Sequence, residues 1–195
     1  MIFDTHILIS QILYANLSNQ MNFKLNRLAF AYGNVKPDFN NKDIKCSHTL
    51  SESLCTVNEY SKKLLNKNTT VKEFSVSLGV ICHFASDYFC LYHREGNEKK
   101  GMAEHLIYEI SVHLKLLTII LSGKLKLKNH KIFEDDVKTI VMELQNKYDS
   151  EKKCLGRDIN YALSAASHIS KLILSSSELY IKQKQADISK RYQFN

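Results

Sequence analysis

The chain has 195 residues with 27 Lys+Arg against 20 Asp+Glu, a formal net charge of +7, and one proline, six glycines and no tryptophan. That length suits one domain with a proper core, and the scarcity of breakers excludes a linker-rich or collagen-like chain and points to an all-α fold. The positive charge is almost all lysine spread along the chain. It reads as solvated helix faces or as attraction to an anionic substrate such as phospholipid or nucleic acid; no aromatic-interleaved basic stripe supports sequence-specific nucleic-acid binding.

In chain order, the apolar residues Ile7, Leu8, Ile12, Leu13 and Ala15 predict a first helix from Thr5 to Leu17. A polar stretch to Arg27 and an apolar piece from Leu28 to Tyr32 follow, ending at Gly33. Asn34-Val-Lys-Pro-Asp38 reads as a loop, because glycine and proline bracket it and proline restricts the residue before it. That loop is expected to continue over 40–47. A helix then runs from Thr49 or Ser51 to Leu65. Thr70 and Glu73 have capping-box spacing, so a helix over 71–92 begins there, apolar on nearly every side and therefore in the core. A polar loop over 94–100, a helix over 101–122, a lysine-rich turn and helices over 132–147 and 155–182 complete the reading. Neither a repeat nor a linker interrupts residues 1–195, which are taken as a single domain.

Five cysteines, Cys46, Cys55, Cys82, Cys90 and Cys154, form no CxxC pair and are odd in number. They read as reduced thiols of an intracellular protein. The N-terminal residues MIFDTHILIS show no basic n-region or long apolar h-region, and the run Leu116–Leu121 is too short to span a bilayer. The expectation is a cytoplasmic protein.

The chemistry concentrates between His83 and Glu109. His83-x3-Asp87 and His105-x3-Glu109 are i, i+4 pairs, so each places an imidazole and a carboxylate on one helical face, with His93 between them. Imidazole plus carboxylate is the ligand set of hydrolytic zinc. An apolar helix hosts Asp87, where a carboxylate is costly unless paired or bound to metal. On a continuing helix His93 would point about 80° away from His83. The spacing therefore implies two adjacent centres, one of His83 and Asp87, the other of His93, His105 and Glu109. His113, one more turn along, is a ligand, a supporting donor or a bystander; His130 reads as surface and His168 as packing.

Read with upstream residues, the pattern resembles the bacterial zinc-dependent phospholipase C family, which shares a superfamily with single-strand-specific zinc nucleases. The resemblance lies in the order His6, Asp38, His48, His83-x3-Asp87, His93 and His105-x3-Glu109. It implies an all-α domain with up to three Zn2+ ions between helices. His48, His83 and Asp87 would hold one zinc. Asp87 would bridge to a second, which His6 helps hold, and His93, His105 and Glu109 would hold the third. Asp38 would act beside the cluster as general base or water-orienting carboxylate. The implied activity is hydrolysis of a phospholipid, a phosphoric diester, by metal-activated water, with transient contact at a membrane surface. Alternatives are a zinc nuclease or other phosphoesterase, and a non-catalytic metal-binding helical protein. Secreted relatives of this kind begin with a tryptophan whose amino group and carbonyl bind zinc. Here Met1 precedes His6 by five residues, so either the terminus or Asp4 takes that role, or that zinc is weakly held or absent.

Overall fold

The computed structural model describes residues 1–39, 44, 46–65, 68–94, 101–125, 127 and 136–193. The described residues fold into α1 (Phe3–Met21), α2 (Arg27–Phe39), α3 (Leu50–Leu65), α4 (Val71–Asp87), a short 3-10 turn (Leu91–His93), α5 (Met102–Leu121), α6 (Val137–Ser150), α7 (Leu155–Ser176) and α8 (Glu178–Gln193). The fold is all-α, as expected from the composition. None of these helices is long and apolar enough to cross a membrane.

The bundle is built around α4 and α7. The predicted capping box is present: Glu73 N–H donates to Thr70 Oγ1 at 3.2 Å and Thr70 N–H donates to Glu73 Oε2 at 3.0 Å. From Leu78 onward every residue of α4 is buried. Opposite it, α7 presents small buried residues, Ala162, Ala165, Ala166 and Ser170. Small side chains let the two backbones approach, and Cys82 Sγ reaches Ser170 Oγ at 3.0 Å. Large side chains, Phe74, Phe84, Phe89, Tyr148 and Tyr161, fill the remaining core.

Four expectations about the elements are corrected. Residues 34–38 are not a loop: α2 continues through Gly33 and Pro37 to Phe39. Gly33 is there for contact rather than for a turn. A Cβ on Gly33 would lie 2.1 Å from the Val76 carbonyl oxygen, and one on Gly79 would lie 2.4 Å from the Phe30 carbonyl oxygen. Two glycines thus let α2 lie against α4, and that packing outweighs the helix-breaking tendency of a proline that sits in the last turn. The first helix runs on to Met21 and ends where Asn22 adopts a left-handed conformation, φ 49°. The 71–92 helix stops at Asp87, so His93 sits on a separate 3-10 turn. The 155–182 helix is two helices, parted at Ser177, whose hydroxyl accepts from Tyr180 N–H at 3.3 Å and so starts α8. The loop expectations for 40–43, 45 and 95–100, and the surface placement of His130, lie outside the described residues.

The α2–α4 contact has a measurable consequence. On an open helix face Gly→Ala gains about 0.5–1 kcal/mol. We expect Gly79→Ala to lose roughly 1–3 kcal/mol instead, because the new methyl group meets backbone on the facing helix. Urea denaturation reads this out, and a stabilised variant would contradict the close packing.

Candidate metal centre

Asp87, at the C-terminal end of α4, is the centre of the cluster and fully buried. Its Oδ1 lies 2.8 Å from the Met1 amino nitrogen and 3.3 Å from His6 Nε2. Its Oδ2 lies 3.2 Å from His48 Nδ1 and 3.3 Å from His83 Nε2. Burial pushes the Asp87 carboxyl up, but the Met1 ammonium and the surrounding histidines outweigh it and hold the group well below the carboxylate range.

His83 has a defined tautomer. Its Nδ1 is 2.8 Å from the Asn34 carbonyl oxygen, which only accepts, so Nδ1 carries the hydrogen. Burial pushes its pKa well below the ordinary value, so the ring is neutral and Nε2 is a bare lone pair. That lone pair faces Asp87 Oδ2 at 3.3 Å, Asp38 Oδ1 at 3.6 Å and His48 Nδ1 at 3.4 Å. His48 has at most one hydrogen at Nδ1 to offer this set. Asp87 Oδ2 and both ring nitrogens of buried His6 have no hydrogen-bond partner among the described residues. The His6 ring stacks on His83 with centroids 4.1 Å apart. Buried ring nitrogens and a carboxylate oxygen that converge without hydrogen bonds between them fit a cation site, and a histidine whose other nitrogen donates to a backbone carbonyl has the usual orientation of a metal ligand.

The second part of the cluster is carried by the 3-10 turn and α5. His93 Nε2 is 3.3 Å and His105 Nε2 2.9 Å from the same oxygen, Glu109 Oε1. Burial would raise the Glu109 carboxyl, yet the hydrogen bond with His93 and the Met1 ammonium draw it down to about 2. The Met1 amino nitrogen joins the two parts: it is also 3.1 Å from Glu109 Oε1 and 3.1 Å from His93 Nε2. The flanking charges push its pKa up to about 12 against the burial that would lower it. Asp4 is exposed, so of the two N-terminal alternatives it is the amino group that lies in the cluster.

All eight residues singled out from the sequence therefore stand in one continuous cluster rather than in two separate centres. The ligand atoms of His6, His83 and Asp87, of Asp38, His48 and His83, and of His48, Asp87 and His93 each lie within 4.8 Å of one another. The end of the long helix at Asp87 makes this so: the turn after it brings His93 back, 5.9 Å from His48 ring to ring. Asp38, on the last turn of α2, is partly exposed at the mouth, and burial raises its pKa above the ordinary value. His113 Nδ1 pairs with Thr5 Oγ1 at 3.1 Å, outside the cluster, and His168 Nδ1 donates to the Ser164 carbonyl at 2.8 Å, a packing role. A groove of about 770 Å³ between α1 and the end of α5, lined by Leu8, Ile12, Ala15 and Ile120, shares no residue with the cluster, and none of the described residues in its walls is titratable.

Sequence reading missed the residues that position the cluster. The Tyr108 hydroxyl accepts from Leu91 N–H at 3.0 Å and donates to Asp158 Oδ2 at 2.7 Å, tying the His93 turn to α5 and α7. Asp158 also accepts from Tyr148 at 2.7 Å and from Arg157 at 3.0 Å. Nothing local in the sequence connects residues 91, 108 and 158.

A helical bundle that brings buried histidines and carboxylates together in groups able to hold a metal ion is the architecture of a candidate metal-binding protein. The sequence model of the family described as zinc dependent phospholipase C matches residues 5–155, and the chain belongs to that family. No curated protein and no solved structure matches it.

Two outcomes follow from the geometry. Glu109 has its pKa depressed in the fold, so the stability it contributes is present above about pH 4.5 and is lost as pH falls toward about 2. In metal-free protein the stability difference between wild type and Glu109→Gln should shrink across that window; a pH-independent difference in guanidinium midpoints would contradict the assignment. Asp158→Ala leaves Arg157 buried without its carboxylate and should lose roughly 3–5 kcal/mol in the same measurement. A loss below ~1 kcal/mol would show the pair to be unimportant.

Proposed function

We propose that the protein is a zinc-dependent phosphodiesterase that hydrolyses a phospholipid in the manner of a phospholipase C. The observation that carries this reading is the confrontation of the bare His83 Nε2 with Asp87 Oδ2 at 3.3 Å, in a buried set of acceptors with too few hydrogens. A divalent cation relieves that repulsion, and nitrogen with carboxylate oxygen is a donor set that suits zinc. Family membership supports zinc as the metal.

In this reading His48, His83 and Asp87 would hold one ion, Asp87 and His6 would help hold a second, and His93, His105 and Glu109 would hold a third. Bound zinc supplies Lewis acidity toward the phosphoryl oxygens and lowers the pKa of water. The chain's own residues do the rest. Asn34 fixes the His83 ring through its carbonyl, so the Nε2 lone pair points inward. Asp38 stands at the partly open mouth, within 3.9 Å of His48 and 3.6 Å of His83, where its carboxylate can orient a water and accept its proton. Its raised pKa moves it toward the range useful for a general base. The water oxygen bonds to phosphorus, the bond from phosphorus to the glycerol oxygen breaks, and the released hydroxyl takes up a proton. Diacylglycerol and a phosphorylated head group result.

Zinc analysis and assays on three substrates test the reading. Purified protein should carry zinc, lost in Asp87→Ala. Asp38→Asn should keep its zinc and lower turnover of phosphatidylcholine by about 10²–10⁴-fold. Zinc-free wild type, or activity on single-stranded DNA or a nitrophenyl phosphodiester with none on lipid, would overturn it.

A further inference from the structure

The buried thiol of Cys90 is left without a role by the chemistry above. It lies between the end of α4 and the 3-10 turn, in a stretch fixed by its own backbone bonds: Cys90 N–H donates to the Asp87 carbonyl at 2.9 Å, and His93 N–H donates to the Cys90 carbonyl at 3.0 Å. Two ligand-bearing positions therefore hold it from both sides. Cys90 is fully buried, and its Sγ, a ring nitrogen of His93 and a carboxylate oxygen of Glu109 all lie within 4.8 Å of one another. Cys82, the other buried cysteine, is different: its Sγ is engaged with Ser170 on α7, away from the cluster.

A thiol beside a histidine and a glutamate is not by itself a site. Two features of the cluster point to a cation. At its neighbouring end, where a carboxylate oxygen of Asp87 lies within 4.8 Å of a His93 ring nitrogen, Asp87 Oδ2 and the His6 nitrogens are buried and make no hydrogen bond. A positive nitrogen, that of Met1, already sits between His93 and Glu109 at 3.1 Å from each. Zinc bonds sulfur at about 2.3 Å and nitrogen or oxygen at about 2.0 Å in a tetrahedral arrangement, which puts a sulfur ligand roughly 3.5 Å from a nitrogen or oxygen ligand. With all three atoms within 4.8 Å of one another, the sulfur needs to close on the other two by at most about 1.3 Å.

We propose that Cys90 Sγ is a ligand to the metal held by His93 and Glu109, which makes that end of the cluster a mixed thiolate, imidazole and carboxylate site. The proposal rests on the metal-binding reading above. On coordination the S–H bond breaks, the metal–sulfur bond forms and one proton leaves to solvent. A thiolate is a soft donor, so this position favours zinc or cobalt over magnesium. Sulfur also neutralises more of the ion's charge than water would. The ion at His93 is consequently the weaker Lewis acid, and the stronger one lies at the His48, His83 and Asp87 end, next to Asp38.

Cobalt(II) added to metal-free protein tests this without reference to activity, since a thiolate ligand gives a near-ultraviolet charge-transfer band that nitrogen and oxygen ligands do not. The wild type should show the band, Cys82→Ser should keep it, and Cys90→Ser and Cys90→Ala should lose it. Cobalt bound to wild type without the band overturns the thiolate ligand and leaves the phospholipase reading standing; so does a band that survives both Cys90 substitutions. Failure to bind cobalt at all overturns both. If neither Cys90 variant folds, a variant with Cys46, Cys55, Cys82 and Cys154 all changed to serine decides the matter: the band should persist there, and its loss overturns the thiolate ligand.

Discussion

The structure depends on keeping one carboxylate, Asp87, ionised at the fully buried end of its central helix. An isolated ionised carboxylate in such a place would be costly by many kcal/mol, and in practice would take up a proton. Here the carboxyl stays ionised because a buried ammonium and a ring of imidazoles surround it. At least one of those imidazoles, His83, is neutral, so the positive charge supplied by the protein alone is sparse. Helices α1, α2 and α5 each bring a group to the cluster, and each is positioned by packing that has nothing to do with metal chemistry.

The α2–α4 contact shows how packing and chemistry are joined. Gly33 and Gly79 let the two backbones meet, with an added Cβ at Gly79 only 2.8 Å from the Gly33 Cα. Because α2 lies that close, the Asn34 carbonyl reaches His83 Nδ1 at 2.8 Å. One hydrogen bond then decides which ring nitrogen carries the proton and which faces Asp87. The same helix ends at Phe39, which leaves Asp38 at the mouth beside His48. A loop at residues 34–38 would offer neither the fixed carbonyl nor the fixed carboxylate.

On the other side, a polar network takes the place of close backbone contact. Asp158 gathers Tyr108, Tyr148 and Arg157, and Tyr108 in turn holds the backbone of Leu91. The His93 turn is thereby attached to the helix that carries His105 and Glu109. Tyr92 adds a stacked contact with His105, ring centroids 4.9 Å apart. Hydrogen bonds and ring contacts of this kind orient side chains that would otherwise retain rotamer freedom.

Much of this was legible in the residues. The capping box at Thr70, the buried character of α4 and the i, i+4 pairs are local properties, and local spacing determines them. Of the element boundaries that failed, the one at Gly33–Asp38 is where contact with a distant helix overrules local propensity; the first helix runs on to a left-handed Asn22, and the break at Ser177 is a local hydroxyl cap. The sequence by itself determined the donor types, their order and the two helical pairs. Only the tertiary structure decided that the pairs share one cluster, that His83 presents a bare Nε2, that an amino group sits among the carboxylates, and that Cys90 lies beside His93 and Glu109. The reason is physical: periodicity relates residues within one helix, whereas the distance between residues on different helices is set by how those helices pack.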